Sequence, residues 1–271
     1  MKVISIIPIA STKVIEEKDE LIDVLIDSIT KEGITLQDND ILVIASKVVS
    51  MSEKEVIDYS KINPTETAKK LAIKARIPAE FAQIILDECD NQFIGTVPGA
   101  ITTVHKYGLL ANAGADQSNI GENRVIILPK DCNKSAKNIH IKLREITDKF
   151  VGIVIADSRT MPMRLGTVGC ALGTYGFKPV TDERGKLDLF NRQMHITNRA
   201  IADQLATAAE LVMGETNERV PFVIIRGYPI EKITPDNERD INTLITKEDC
   251  MFIGPLLPCL EFEKKSDNYE N

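Results

Sequence analysis

Two hydrophobic rhythms alternate along this chain. Short continuous apolar runs predict buried strands, and stretches in which apolar residues recur every third or fourth position predict helices packed on one side. Residues 3–7, closed by Pro8, and residues 41–44 are runs of the first kind, and their β-branched composition predicts strands buried on both faces. Between them Leu21, Val24, Leu25 and Ile29 repeat at helical spacing behind an acidic stretch at residues 16–20, and Gly33 marks the helix end. Strand, helix, strand in that order predicts layered α and β structure. Asn63-Pro64-Thr65 opens a second helical stretch, broken at Ile77-Pro78 and ending near Asp87.

The passage Gly95-Thr-Val-Pro-Gly99 reads as a hairpin or a lobe boundary, followed by strands at 101–105 and 109–111. Residues 135–145 are helical by pattern and 151–155 form a strongly apolar strand. Residues 196–213 predict the longest amphipathic helix, with Ile201, Leu205, Ala208 and Val212 as its core stripe and Gly214 at its C-terminal cap. A further buried strand at 222–225 precedes Arg226-Gly227. The pattern weakens beyond residue 230, and the polar ending KKSDNYEN is expected to fray. The predicted class is α+β, with mixed α/β layers and no internal repeat.

With 271 residues, 43% hydrophobic and 27% charged, the chain can bury a sizeable core in one large or two small domains. Its formal net charge of -7 argues against generic binding to nucleic acid, because a surface that tracks phosphates carries an excess of Lys and Arg. Any phosphate must be held locally. No apolar run reaches the roughly 20 residues of a membrane span, and the opening MKVISIIPIA lacks a secretory cleavage site, so the expected location is cytoplasmic, with no membrane partner. Cys89, Cys132, Cys170, Cys250 and Cys259 form no CxxC pair, which predicts small buried side chains rather than a zinc site. His105, His140 and His195 are scattered without metal-ligand spacing.

Chemistry concentrates in two places. In Ala111-Asn-Ala-Gly-Ala-Asp-Gln-Ser-Asn-Ile120 a strand ends in small residues and presents Asp116, Ser118 and Asn119, an oxygen-rich group suited to a hard cation or simply to a turn. The apolar run 151–155 delivers Asp157 and Ser158, either as ligands at the carboxyl edge of a sheet or as a cap. Beyond them, Arg159 and Arg164 precede glycines at 166, 169, 173 and 176, in a pattern that is neither GxxxxGK[ST] nor GxGxxG. A bent strand with close glycine packing and an anion-binding loop both fit it.

Taken in order, NAGADQSN, ADSR with RLGTVGCALG, RGKLDLFNRQMHIT, ADQLATAAELVMGE and VPFVIIRG resemble the coenzyme F420-0:L-glutamate ligase family, from about residue 8 to residue 227. The resemblance implies two intertwined α+β lobes within residues 1–230, with a lobe boundary near 95–100, an extension at 231–271 and a homodimer. It also implies a GTP-dependent ligase that forms a C–N bond between the amine of L-glutamate and the carboxylate of the deazaflavin F420 precursor. Two divalent ions, Mg2+ or Mn2+, would assist, with K+ as a further candidate ion. By position, Asp116 and Asp157 match metal-binding aspartates, and Ser158 and Glu215 stand at further metal positions. Thr12, Lys13, Val14, Ile15, Ser46, Lys47, Asn119, Gly214, Thr216 and Asn217 match nucleotide-binding stretches. Arg164 joins Asp116 and Asp157 as a candidate catalytic residue, and Arg159, Arg184, Lys186 and Arg192 are other cations available to clamp phosphate or carboxylate. Each of these cations taken singly also fits a surface ion pair.

The chemistry is coherent with that implication. A carboxylate must acquire a leaving group before an amine can displace it, and phosphoryl transfer from GTP would supply one as an acyl phosphate, with metal ions offsetting the repulsion among the anions. Some positions depart from the family pattern. Met51 replaces a usual Lys, Ser158 a Thr, and Phe190-Asn191 a Tyr-Gly pair, while Arg159-Thr-Met-Pro-Met-Arg164 differs from the commonest Gly-Arg form. Glutamylation of another acceptor, such as a folate or pterin, and a non-catalytic nucleotide-binding paralogue are the competing readings.

Overall fold

The computed structural model describes residues 3–232 and 243–258; the expected fraying of the last eight residues, and Cys259, fall outside them. Two compact units emerge, one from residues 3–63, 114–232 and 243, the other from 64–113 and 244–258. The first unit begins with β1 (Ser5–Ile9), α1 (Leu21–Lys31), β2 (Ile41–Ala45), α2 (Ser46–Ser52) and β3 (Val56–Asp58). The second unit follows with α3 (Glu66–Ala75), α4 (Ala79–Glu88), β4 (Phe93–Val97), β5 (Ala100–His105) and β6 (Gly108–Ala111). The first unit resumes with β7 (Arg124–Ile126), α5 (Cys132–Thr147), β8 (Gly152–Thr160), β9 (Thr167–Tyr175), β10 (Val180–Asp182), β11 (Asn198–Ala200), α6 (Ile201–Met213) and β12 (Phe222–Arg226). The protein is α+β, as the patterning predicts.

The first unit is organised on a five-stranded sheet in the order β1-β12-β2-β8-β9, in which β2 and β8 run parallel and the other neighbours antiparallel. Its central strand β2 is the apolar run ILVIA and the neighbouring β12 is the apolar run FVII closed by Arg226, and Ile41, Leu42, Val43 and Ile44 are wholly buried. Helix α6 covers one set of their side chains with Ile201, Ala202, Leu205, Ala206 and Ala209. Burial of this kind stabilises by about 25 cal/mol per Å² of apolar surface, so the sheet centre dominates the folding energy. At the rim, Asp40 is fully buried and accepts from Arg226 Nε at 2.8 Å and Nη2 at 2.7 Å, tying the entry of β2 to the end of β12.

Several expectations need correction. The first strand covers residues 5–9 rather than 3–7 and is an edge strand with a largely accessible surface, so it is not buried on both faces. An edge tolerates Pro8 within the strand because a missing N–H is harmless where no neighbour needs it. Residues 198–200 are extended, paired with β10, so the helix expected from 196 begins at Ile201, and α5 with 16 residues is longer than α6 with 13. The stripe on α6 is centred on Ala202, Ala206 and Ala209, with Ala208 and Val212 at its margin. Two of the cysteines, Cys89 and Cys132, are buried as expected; Cys170 and Cys250 are partly accessible.

The glycines of β9 pack closely against other elements. A Cβ on Gly169 would lie 2.4 Å from the Ala206 backbone in α6, and one on Gly173 would lie 2.3 Å from the Cys132 backbone in α5. Positions of equal parity would share one face of a regular strand; here a register shift at Ile155/Ala156 of β8 lies between them, so they meet different helices. Gly173→Ala should therefore destabilise by about 1–3 kcal/mol or more, measured by urea unfolding, because backbone cannot yield as a side chain does.

In the second unit, α3 and α4 pack on the meander β4-β5-β6. Thr65 caps α3 by accepting from Ala68 N at 3.2 Å, while Gln83 of α4 accepts from Thr65 N at 2.8 Å, which fixes the bend at Ile77-Pro78. Pro98-Gly99 forms the turn between β4 and β5, the hairpin alternative read from the sequence. Among the described residues, no helix is long and apolar enough to cross a membrane.

Candidate functional site

The parallel ladder between β2 and β8 ends at the pair Ala45 and Ala156. The next residue on each chain, Ser46 opening α2 and Asp157 continuing β8, therefore emerge side by side, and Ser46 Oγ donates to Asp157 Oδ1 at 2.9 Å. Asp157 is not at a strand end, as its apolar approach suggested. Strand β8 continues to Thr160 because β9 keeps pairing with it, and Asp157 stands opposite Cys170.

Asp116 comes from a different part of the chain. Gly114 turns at φ 77°, where an added Cβ would be 2.5 Å from Leu128, and Asp116 then exchanges both backbone hydrogen bonds with Ile126 at 2.9 Å. Its carboxylate accepts from Ser118 N at 2.7 Å and pairs with Lys47 Nζ at 2.5 Å, and Lys47 also donates to Ser118 Oγ at 2.7 Å. The adjacent residues Ser46 and Lys47 thus hold one aspartate each. Asn119, at φ 59°, donates from Nδ2 to Thr216 O at 3.1 Å, joining this turn to the loop after α6. That loop starts at Gly214 with φ 72° and ψ -179°, a conformation essentially confined to glycine. In it, Glu215 accepts from Thr167 Oγ1 at 2.6 Å.

These residues line one cleft of ≈ 610 Å³. Lys13, Val14, Ile15, Ser46, Lys47, Asp116 and Asn119 contribute to it, as do Asp157, Ser158, Gly214, Glu215, Thr216 and Asn217. Thr12 is not among its lining residues; its N–H bonds Ser28 Oγ at 3.2 Å. Arg164 lies exposed in the turn between β8 and β9 and does not line the cleft, while Arg184 and Lys186 are paired with Asp182 and Glu183. The cleft also contains Glu210, which sequence reading passed over because a Glu on an amphipathic helix looks solvent-facing. Its signal was the spacing of Ala206, Glu210 and Met213, one helical stripe that all lines the cleft.

The carboxylates are arranged in tension. Burial pushes the Asp157 carboxyl up, and the Asp116 charge adds to this, against the Ser46 hydrogen bond and the Arg159 charge. Burial, the hydrogen bond to Glu215 and the charges of Glu215 and Asp157 push Glu210 up to about 8. Burial works the same way on Asp116 and Glu215, but it is outweighed: Lys47 and Ser118 hold Asp116 low, and bonds from Glu210, Thr167 and Ser158 hold Glu215 low. Glu210 Oε1 is buried without a hydrogen-bond partner.

Between its ordinary 4.5 and about 8, Glu210 is protonated in the folded protein and ionised in the unfolded chain, so its contribution to stability falls as pH rises through that window. In metal-free protein, Glu210→Gln is expected to flatten the decline of melting temperature from pH 5 to 8.5, read by calorimetry. An unchanged pH profile would show that Glu210 is not the group responsible.

Among the described residues, no three His, Cys, Asp or Glu side chains form a ready-made metal-ligand group. A mixed set of Asp116, Asp157, the Ser158 hydroxyl and Glu215 nevertheless suits Mg2+ or Mn2+, hard cations that take carboxylate and hydroxyl oxygens and complete their shell with water or substrate phosphate. The partnerless oxygen of Glu210 and the mutual repulsion around Asp157 are the local features a bound cation would relieve. The residues fit the group.

A profile of the family described as F420-0:Gamma-glutamyl ligase matches residues 10–227. Coenzyme F420:L-glutamate ligase of Methanococcus maripaludis (strain C7) is 42% identical over 215 residues, 79% of this chain and 84% of the relative. Its namesake in Methanothermobacter thermautotrophicus is 36% identical over 227 residues, 83% of this chain and 90% of the relative. The namesake in Archaeoglobus fulgidus is 31% identical over 244 residues, 88% and 96% of the respective chains. The match takes in the whole cleft, from Ser11 to Pro221, and on this basis the chain belongs to the F420-0:gamma-glutamyl ligase family.

Proposed function

We propose that the protein joins L-glutamate to the carboxylate of the coenzyme F420 precursor, spending GTP and using divalent metal ions. The observation that carries this reading is the convergence of Asp116, Asp157 and Glu215 with Ser46-Lys47 in one cleft, within a chain of this ligase family. The precursor's carboxylate oxygen attacks the γ-phosphorus of GTP, forming an acyl phosphate and releasing GDP. The amine of glutamate then attacks the acyl carbon, forming the amide, losing a proton and expelling inorganic phosphate. Lys47 and Lys13 supply positive charge at the cleft wall for the triphosphate. Ser46 orients Asp157, and Lys47 and Ser118 orient Asp116, so both carboxylates are set before substrate arrives. Bound Mg2+ or Mn2+ would neutralise the phosphate oxygens and align the transferring group.

The test is incubation of the protein with GTP, manganese, L-glutamate and the deazaflavin precursor, followed by mass spectrometry. A product heavier by one glutamyl residue is expected, and its absence with every divalent ion would remove the proposal.

A homodimer belongs to the same reading. Met163 and Leu165, between β8 and β9, are 102% and 107% exposed, and Leu189 and Phe190, between β10 and β11, are 97% and 79% exposed. Large apolar side chains so fully presented to water mark a surface that a second copy would cover. Light scattering should give twice the chain mass, and Leu165→Asp with Phe190→Asp should give a monomer.

A further inference from the structure

One ammonium group in the cleft has two competing tasks. Three cations line the cleft, Lys13, Lys47 and Arg219, and among the described residues Lys47 is the one ion-paired with a metal-ligand candidate. A lysine ammonium has three N–H donors. Those of Lys47 face three acceptors, Asp116 Oδ2 at 2.5 Å, Ser118 Oγ at 2.7 Å and Ser118 O at 3.4 Å. Its charge also bears on Asp157 and Glu215, so it stands among the same carboxylates that suit a divalent ion.

Asp116 is equally committed. Its Oδ1 accepts from Ser118 N at 2.7 Å, and its Oδ2 accepts both from Lys47 and, at 2.8 Å, from Ser118 Oγ. Two donors take up both lone pairs of Oδ2, so a cation reaches that oxygen by displacing one of them. The Ser118 hydroxyl is held close by its own turn, two residues along the chain, whereas the Lys47 ammonium ends a flexible four-carbon stem and is partly exposed. The ammonium is therefore the partner that yields. Met51, one helical turn beyond Lys47 and also on the cleft wall, is apolar, and α2, SKVVSMS, has no second cation to offer a phosphate.

We infer that Lys47 is an exchangeable counter-ion, which neutralises Asp116 until a divalent ion takes its place and then turns its released ammonium to the triphosphate. The inference rests on the proposed use of a metal ion with a nucleoside triphosphate. It makes the two ligands interdependent: the metal frees the group that the phosphates attract, and the phosphates hold that group away from Asp116, a coupling that acts equally in both directions. Lys13 does not share this role, because its ammonium pairs with Asp19 at 2.7 Å.

The experiment titrates manganese into nucleotide-free wild type, Lys47→Met and Lys13→Met, with bound ion read by electron paramagnetic resonance. Loss of the competing ammonium in Lys47→Met should tighten manganese by about tenfold. Lys13→Met removes the same charge from the same cleft and should change the affinity by less than about threefold, because solvent screens a charge that does not touch the ion's ligands. No tightening in Lys47→Met, or equal tightening in both variants, overturns the exchange. A second measurement uses the wild type alone, with a brief acetylation pulse and peptide mass spectrometry to report how accessible Lys47 is. Manganese should raise its labelling, and GTP added with manganese should lower it again. Manganese that binds while Lys47 labelling stays unchanged overturns the exchange alone and leaves the metal-ligand set standing. A protein that binds no manganese, with or without GTP, overturns the ligase mechanism and the exchange together.

Discussion

Asp157→Asn is expected to cut kcat/KM for glutamylation by about a thousandfold or more while leaving the fold intact. Losing a carboxylate that organises charge around a transferring phosphoryl group removes several kcal/mol of transition-state stabilisation, and each 1.36 kcal/mol is about tenfold in rate. A catalytic role and a structural role differ in their effect on stability. Burial raises the Asp157 pKa, so its ionised form destabilises the folded state at pH values above its ordinary 3.8, and the neutral amide removes that liability. The melting temperature of metal-free Asp157→Asn should therefore equal or exceed that of the wild type, while the stabilisation conferred by manganese with GTP should shrink. Near-normal turnover in this variant would sink the assignment.

Arg226→Ala is expected to produce the largest loss of stability, about 3–5 kcal/mol by urea unfolding, since it strands a buried charge. Asp40 receives both guanidinium bonds and the N–H of Gln37 at 2.8 Å, and Arg226 also donates to Thr35 O at 2.8 Å. The double variant Asp40→Leu with Arg226→Met should recover part of the loss, because removing both members leaves no unpaired charge behind. If the single substitution costs less than about 1 kcal/mol, the pair is peripheral to folding.

The central strands were readable because ILVIA and FVII are apolar without a break, and α1 because its leucines, valine and isoleucine keep helical spacing up to Gly33. Local pattern could not show that β1 lies at the edge, since an edge strand and a central one can share composition and differ only in their neighbours. Nor could it decide what the glycines of β9 do; the answer lay in the backbones of Ala206 and Cys132, elements remote in sequence. The cleft residues were identified through motif order, and the structure brings nearly all of them together. Glu210 and Thr167 were missed because each acquires its meaning from Glu215, on a loop whose path no periodicity encodes. The Asp40–Arg226 pair, separated by 186 positions, was equally out of reach.

Strand β8 is bonded on both edges over residues 153–156, to β2 and to β9, and on one edge over residues 157–160. Amide protons in the first segment should exchange with deuterated solvent only through wholesale opening of the sheet, whereas those from Ser158 onward can exchange through smaller excursions of the outer arm. Asp157 is mounted at the frontier between these two regimes. It is the first residue bonded on one edge alone, so its carboxylate is carried directly on the slowest-exchanging part of the strand.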